Sequence, residues 1–293
     1  MASESARKWW KRLLIAVVAL AAWIFVPDQV SQWKLRHHYL DHLFIVQHDY
    51  VYKVTIHPDD ERVISLYLVK SASNQFDIWA PGDTVNRVVA AAFMPDGDGM
   101  CITSRYATEP WKNAFDESAI KGLISNQMRL ALSRITVSGM TVRLTVQSAS
   151  QAAISAGHEI EYFVVKEDSD RIPRSNQVRY IARVNGTAPF PIEAIDPGVS
   201  YLGDREHGKP LYALAYPNID LSSGLPFKIG VIKLSVERYD AEAESTTFEK
   251  SSTWLPEGTP VFDRSLNLLG MYTSVNTNGQ TNCISTLREY LPP

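Results

Sequence analysis

Cysteine is scarce in this chain: Cys101 and Cys283 are the two found in 293 residues. So few exclude a disulfide framework and a cysteine-rich zinc site. A single long-range disulfide would need a Cα separation that sequence does not supply, and two buried free thiols are the preferred reading. Positive charge is not in surplus either. Lys and Arg total 29 against 32 Asp and Glu, a net charge of −3, so the basic face of a nucleic-acid binder is missing. There is no Gly-rich phosphate loop, no block of like charges and no internal repeat, and no cofactor is expected.

What is present is apolar sequence in two patterns. The first is an N-terminal run. Arg7, Lys8, Lys11 and Arg12 precede Leu13–Val26 (LLIAVVALAAWIFV), which carries no charge and ends at Pro27-Asp28. With Trp9 and Trp10 as interfacial residues it is long enough to cross a bilayer. The basic residues in front predict a cytoplasmic N-terminus and a periplasmic or extracellular remainder. A cleaved signal peptide is the rival, because Ala19-Leu20-Ala21 fits a cleavage site, but cutting there would leave Trp23-Ile24-Phe25-Val26 at the new terminus. An uncleaved anchor is therefore preferred, with membrane contact through residues 9–26.

The second pattern is short β-rich runs broken by turn residues. They are residues 50–56, 63–69, 76–80, 88–94, 100–104, 140–146, 159–165, 178–184, 210–216, 227–239, 260–262 and 268–274. Strands of that length and spacing favour an antiparallel barrel or sandwich. Pro95–Gly99 reads as a hairpin turn. Residues 111–135 depart from the alternation; Ala119, Leu123, Met128, Leu130 and Leu132 suggest one amphipathic helix, or two broken near Gly122. Residues 167–174 and 196–209 read as polar loops. Ser31–His48 reads as a helical or extended stalk.

Four segments in order resemble the trypsin-like serine proteases. Residues 92–107 (AFMPDGDGMCITSRYA) resemble the hairpin that ends in the histidine. Tyr180–Val184 resembles the strand after the aspartate, and Gly208–Pro217 the strand that opens the second barrel. Residues 251–273 (SSTWLPEGTPVFDRSLNLLGMYT) resemble the nucleophile turn and its two flanking strands. The resemblance implies two antiparallel β-barrels with an inserted helix, behind the transmembrane helix. The expected domains are a cytoplasmic tail at 1–12, an anchor at 13–26, a stalk at 27–48, a first barrel at 49–190 and a second at 191–293.

The same alignment implies that the catalytic triad is gone. A serine protease needs a hydroxyl, a histidine base and an orienting carboxylate, with N–H groups aimed at the oxyanion. The histidine position is Tyr106, the aspartate position falls at Val178 or Arg179, and the serine position is Glu257. A carboxylate at 257 would oppose the negative charge of a tetrahedral intermediate. The glycine that shapes the oxyanion turn is replaced by Leu255, followed by Pro256, which restrict the backbone there. No catalytic residue is retained.

Other candidates are weaker. Ser251, Ser252, Thr253, Thr259 and the Ser222-Ser223-Gly224 turn offer hydroxyls without the tight-turn glycines, and His158 and His207 read as loop histidines. His38 and His42 lie one helical turn apart with Asp41 beside them, a possible transition-metal pair that lacks a third ligand in fixed spacing. Asn185-Gly186-Thr187 is a sequon that matters only in a eukaryotic secretory setting. The expected function is binding of a protein or peptide partner, or scaffolding, by an inactive protease-like domain at a membrane. An active hydrolase with a displaced site and a metal-responsive membrane sensor are the two alternatives.

Overall fold

A computed structural model describes residues 4–39, 43–93, 101–112, 114–148, 160–164, 178–183, 210–215, 230–240, 245–248, 255–275 and 281–286. The chain opens with one helix, α1 (Glu4–His38), and is otherwise mainly β. The strands of the first half are β1 (Leu43–Ile56), β2 (Ile64–Lys70), β3 (Phe76–Ile78), β4 (Asn86–Phe93), β5 (Cys101–Ser104), β6 (Ile135–Ser148), β7 (Ile160–Val164) and β8 (Val178–Arg183). Two helices, α2 (Arg105–Thr108) and α3 (Ala114–Met128), stand between β5 and β6. The second half contributes β9 (Pro210–Ala215), β10 (Gly230–Asp240), β11 (Ser245–Phe248), β12 (Pro260–Phe262), β13 (Leu268–Val275) and β14 (Thr281–Thr286).

All strand pairs are antiparallel, and they form two rings. In the first, β1 pairs with β4, then β5, β8, β7 and β6 follow, and β6 pairs back with β1. In the second, β9, β10, β11, β14, β13 and β12 follow one another, and β12 pairs back with β9. Counting strands by chain order within each ring, both read first, second, third, sixth, fifth, fourth. The architecture repeats although the sequence shows no repeat. Apolar residues of both rings fill the space between them: Leu43, Ile45, Ala91, Phe93 and Ile102 pack with Tyr212, Leu214, Phe262, Leu268 and Met271.

The first ring carries an extension. The C-terminal half of β1 pairs with β2, which pairs with β3, and the N-terminal half of β6 lies on the other side of β1. α3 covers one face of this sheet through Ile120 and Ile124, packed on Tyr52, Val54, Ile56, Leu68 and Ile135. It runs unbroken through Gly122. The buried face is not the expected one. Ala119, Leu123, Met128 and Leu132 are exposed, and Leu130 is partly buried; the inward positions are Asp116, Ile120 and Ile124, spaced i, i+4, i+8. A carboxylate can head that row because Tyr52 Oη and Lys70 Nζ both donate to Asp116, each at 2.7 Å.

α1 runs on through Pro27, where the apolar run ends. Proline removes one helical N–H bond, and tertiary contacts just beyond it hold the helix on course. Asp28 accepts from Tyr212 Oη at 2.8 Å and from Lys233 Nζ, with Arg264 Nε at 3.5 Å. Ser31 Oγ donates to the Arg264 carbonyl at 2.9 Å, Leu35 is fully buried between the rings, and Tyr39 stacks on Phe262. Burial raises the Asp28 pKa, but the hydrogen bonds from Lys233 and Tyr212 and the Lys233 and Arg264 charges outweigh it and hold the carboxyl below its usual value. Leu43–His48, expected in a stalk, form the start of β1. The side chains of residues 21–25 and 27 lie outside the described set, and among the described residues no helix is long and apolar enough to cross a membrane.

Cys101 is a buried thiol on β5. Two expected loops, 167–174 and 196–209, and the 95–99 turn lie outside the described residues, though β4 and β5 are the antiparallel neighbours that such a hairpin would join. The inverted face of α3 has a direct test. Ile120→Ala should cost about 2–5 kcal/mol in chemical denaturation, whereas Phe115→Ala, at a position 76% exposed, should change stability by less than about 0.5 kcal/mol.

Candidate functional site

The three positions singled out by the sequence converge where the rings meet. β5 runs into α2, with Ser104 as its N-cap: Ser104 Oγ accepts from the Ala107 N–H at 3.3 Å. Tyr106 is therefore the second residue of a capped turn, and it is 43% exposed. Val178, the first residue of β8, is the register partner of Ser104 and so lies beside the start of that turn; its side chain is outside the described set.

Glu257 reaches the same place from the second ring. It sits in the loop before β12, with Leu255 buried in the core of that ring. Thr259 N–H and Oγ1 both donate to the Pro256 carbonyl, at 3.3 and 2.7 Å, which closes a tight turn over residues 256–259. Gly258 is its third residue and has φ +79°, the conformation that turn position requires of a glycine. The Ala91 N–H donates to the Glu257 carbonyl at 2.6 Å, pinning the loop to β4 of the first ring. A Cβ on Gly258 would come within 2.2 Å of the Ala91 oxygen, which also accepts from Thr103 Oγ1 at 2.7 Å. Glu257 is buried, at 7% exposure.

The electrostatics follow from this placement. Burial raises the Tyr106 pKa, and the negative charges of Glu257 and Asp116 raise it further. Tyr50 is pushed up to about 12, chiefly by burial, and Tyr52 goes higher still through burial and its bonds to Tyr50 and Asp116. None of these phenols supplies a base at neutral pH.

Sequence reasoning missed His48, which it left at the end of the stalk. This residue is fully buried on β1. Its Nδ1 is 2.8 Å from the Ala107 carbonyl and its Nε2 is 3.0 Å from Thr141 Oγ1. A carbonyl only accepts, so Nδ1 donates to it and Nε2 accepts from the Thr141 hydroxyl. Burial lowers the imidazole pKa, against smaller opposing effects of the Ala107 bond and the Asp49 charge. His48 thus holds the α2 turn carrying Tyr106 in place as a neutral ring. The available signal was composition: the apolar run at 43–46 leads into 50–56 with no Gly or Pro between them, as a single strand would.

α1 ends at His38, and Asp41, His42 and the His38 side chain lie outside the described residues. So do His158, His207, Ser222, Ser223 and residues 251–253. No metal-ligating group of three or more is found among the described residues.

No protein-family model matches the chain, and no curated protein matches it. Solved structures of trypsin-like proteases of the HtrA/Deg family do. Deg5 is 12% identical over 89% of this chain and 90% of its own, with a TM-score of 0.46. The Rv3671c protease of M. tuberculosis in its active form is 12% identical over 92% and 82%, with a TM-score of 0.42. The MamO protease domain of Magnetospirillum magneticum is 15% identical over 68% and 84%, with a TM-score of 0.40.

Two outcomes follow from the geometry. Unfolded chains bind a proton at His48 below about 6.5 while the fold resists it, so its contribution is complete above that pH and is lost as pH falls toward the folded value. The unfolding midpoint should drop between pH 7.5 and 5.5, with a slope of up to ~1.4 kcal/mol per unit that His48→Gln removes. Gly258→Ala should also destabilise the fold, by more than about 1 kcal/mol, since it meets both a positive φ and the Ala91 carbonyl.

Proposed function

We propose that this chain is a membrane-anchored, trypsin-like double barrel that binds a protein or peptide partner without hydrolysing it. The shared strand order of the two rings supports the double-barrel plan that the sequence resemblance implies. The observation that carries the loss of catalysis is the meeting of Tyr106 and buried Glu257 at the seam, one on each ring, where a base and a nucleophile are required. A double barrel that has lost its chemistry keeps strands and a cleft able to pair with an extended peptide. The apolar run at 13–26, with Trp9 and Trp10 and the basic residues before it, supports anchoring, with the N-terminus cytoplasmic and the rings periplasmic or extracellular.

A second reading has one specific observation in its favour. Thr141 Oγ1, His48 Nε2 and the carbonyl on Nδ1 stand in the order nucleophile, base and orienter. Against it, His48 has no exposed surface through which substrate or water could take its proton. A fluorophosphonate probe separates the two. The full chain should remain unlabelled, and neither Glu257→Ser nor the double change Tyr106→His with Glu257→Ser should hydrolyse peptides, because no orienting carboxylate is restored. Stoichiometric labelling that Thr141→Ala abolishes would establish the second reading and remove the first.

A further inference from the structure

The helix that carries the apolar run is also a structural part of the ring domain, and its two faces differ beyond Val26. At about 100° per residue, Asp28, Ser31 and Leu35 fall on one face, and Val26, Val30 and Trp33 on the opposite one. The first face is bonded to the second ring through Lys233, Tyr212 and Arg264 and is buried at Leu35. The second is apolar and open to solvent: Val26 is 52%, Val30 44% and Trp33 56% exposed, and with Gln29 they line a shallow apolar depression. The stripe continues the exposed apolar surface of Leu13, Leu14, Ile15, Val17, Val18 and Leu20 without a break in the helix.

Building on the anchored reading above, we propose that the Val26–Val30–Trp33 stripe lies in the interfacial layer of the bilayer, so that the second ring rests on the lipid headgroups. The run from Trp9 to Val26 rises about 26 Å, slightly less than a hydrocarbon core of about 30 Å. Asp28 then stands about 3 Å past the apolar run, at headgroup depth. Its partners Lys233 and Arg264 are held at that level with side chains 48% and 46% exposed, while the carboxylates beside them face inward, Asp28 at 17% and Asp263 fully occupied by the turn at Ser265 and Asn267. Half-exposed and bonded to Asp28, both cations thus stand at headgroup depth, within reach of lipid phosphates. Trp33, about 10 Å beyond Val26 along the helix, suits the interface because its ring is apolar with one polar N–H.

The test uses the full chain in phosphatidylcholine–phosphatidylglycerol vesicles whose acyl chains are brominated either near the headgroup or near the methyl end. The expected result is flotation with the vesicles and a Trp fluorescence component that is quenched more by shallow than by deep bromine and is missing in Trp33→Phe. Flotation with equal quenching of wild type and Trp33→Phe would overturn the interfacial placement while leaving the anchor intact; a second copy of the chain covering the stripe would give this outcome. Failure to float would overturn the anchor and the placement together.

Discussion

The Ala91 N–H reaches the Glu257 carbonyl across 2.6 Å, and the relation between the two rings is built around that bond. It is a main-chain contact, so it sets the position of residue 257 whatever its side chain. It also demands a glycine next door, because the Ala91 oxygen occupies the space a Cβ on residue 258 would need. Leu255 fixes the other end of the loop by burial in the second ring. The loop is therefore held at residues 255, 257 and 258, and shape and chemistry at residue 257 are decoupled: the frame delivers a side chain to the seam, and the identity of that side chain decides what the seam can do. Glutamate there places a buried carboxyl group at the seam.

The polar groups around this frame serve order more than reactivity. His48 bonds through both ring nitrogens, one of them to the α2 turn, and Asp116 ties α3 to β1 and β2 through Tyr52 and Lys70. Each is a buried polar group whose desolvation is offset by well-made hydrogen bonds, which makes it costly to remove and slow to exchange protons. Ionising Tyr106 would set a phenolate beside Glu257 and within reach of Asp116. Local charge at the seam thus opposes ionisation of Tyr106.

How much of this was readable in advance depends on where the deciding contacts lie in the chain. The apolar strands are evident because each is a short run of apolar and β-branched residues bounded by turn residues. β11 (STTF) and β14 (TNCIST) are not, since a Ser/Thr-rich run becomes a strand only when β10 and β13 offer backbone partners. The face of α3 was misread because Asp116 looks like a solvent residue until Lys70 and Tyr52, 46 and 64 positions away, are brought to it. Whether the stalk was helical or extended stayed open because the Asp28 bonds to residues 212, 233 and 264 are invisible to local rules. The seam was partly legible: the family resemblance singled out Tyr106 and Glu257, whose charge acts on Tyr106, but the Ala91 bond and His48 were not foreseen. Long sequence separation, not weak physics, is what hid them.

The unbroken passage of α1 through Pro27 has a geometric consequence. A flexible tether would let the domain turn freely about the helix axis. A continuous helix bonded to the second ring makes the two parts a single screw, in which azimuth and height are counted in residues. Removing one residue between Val26 and Asp28 would rotate the rings by about 100° and draw them in by about 1.5 Å. The length of that segment therefore specifies a compass bearing for the seam.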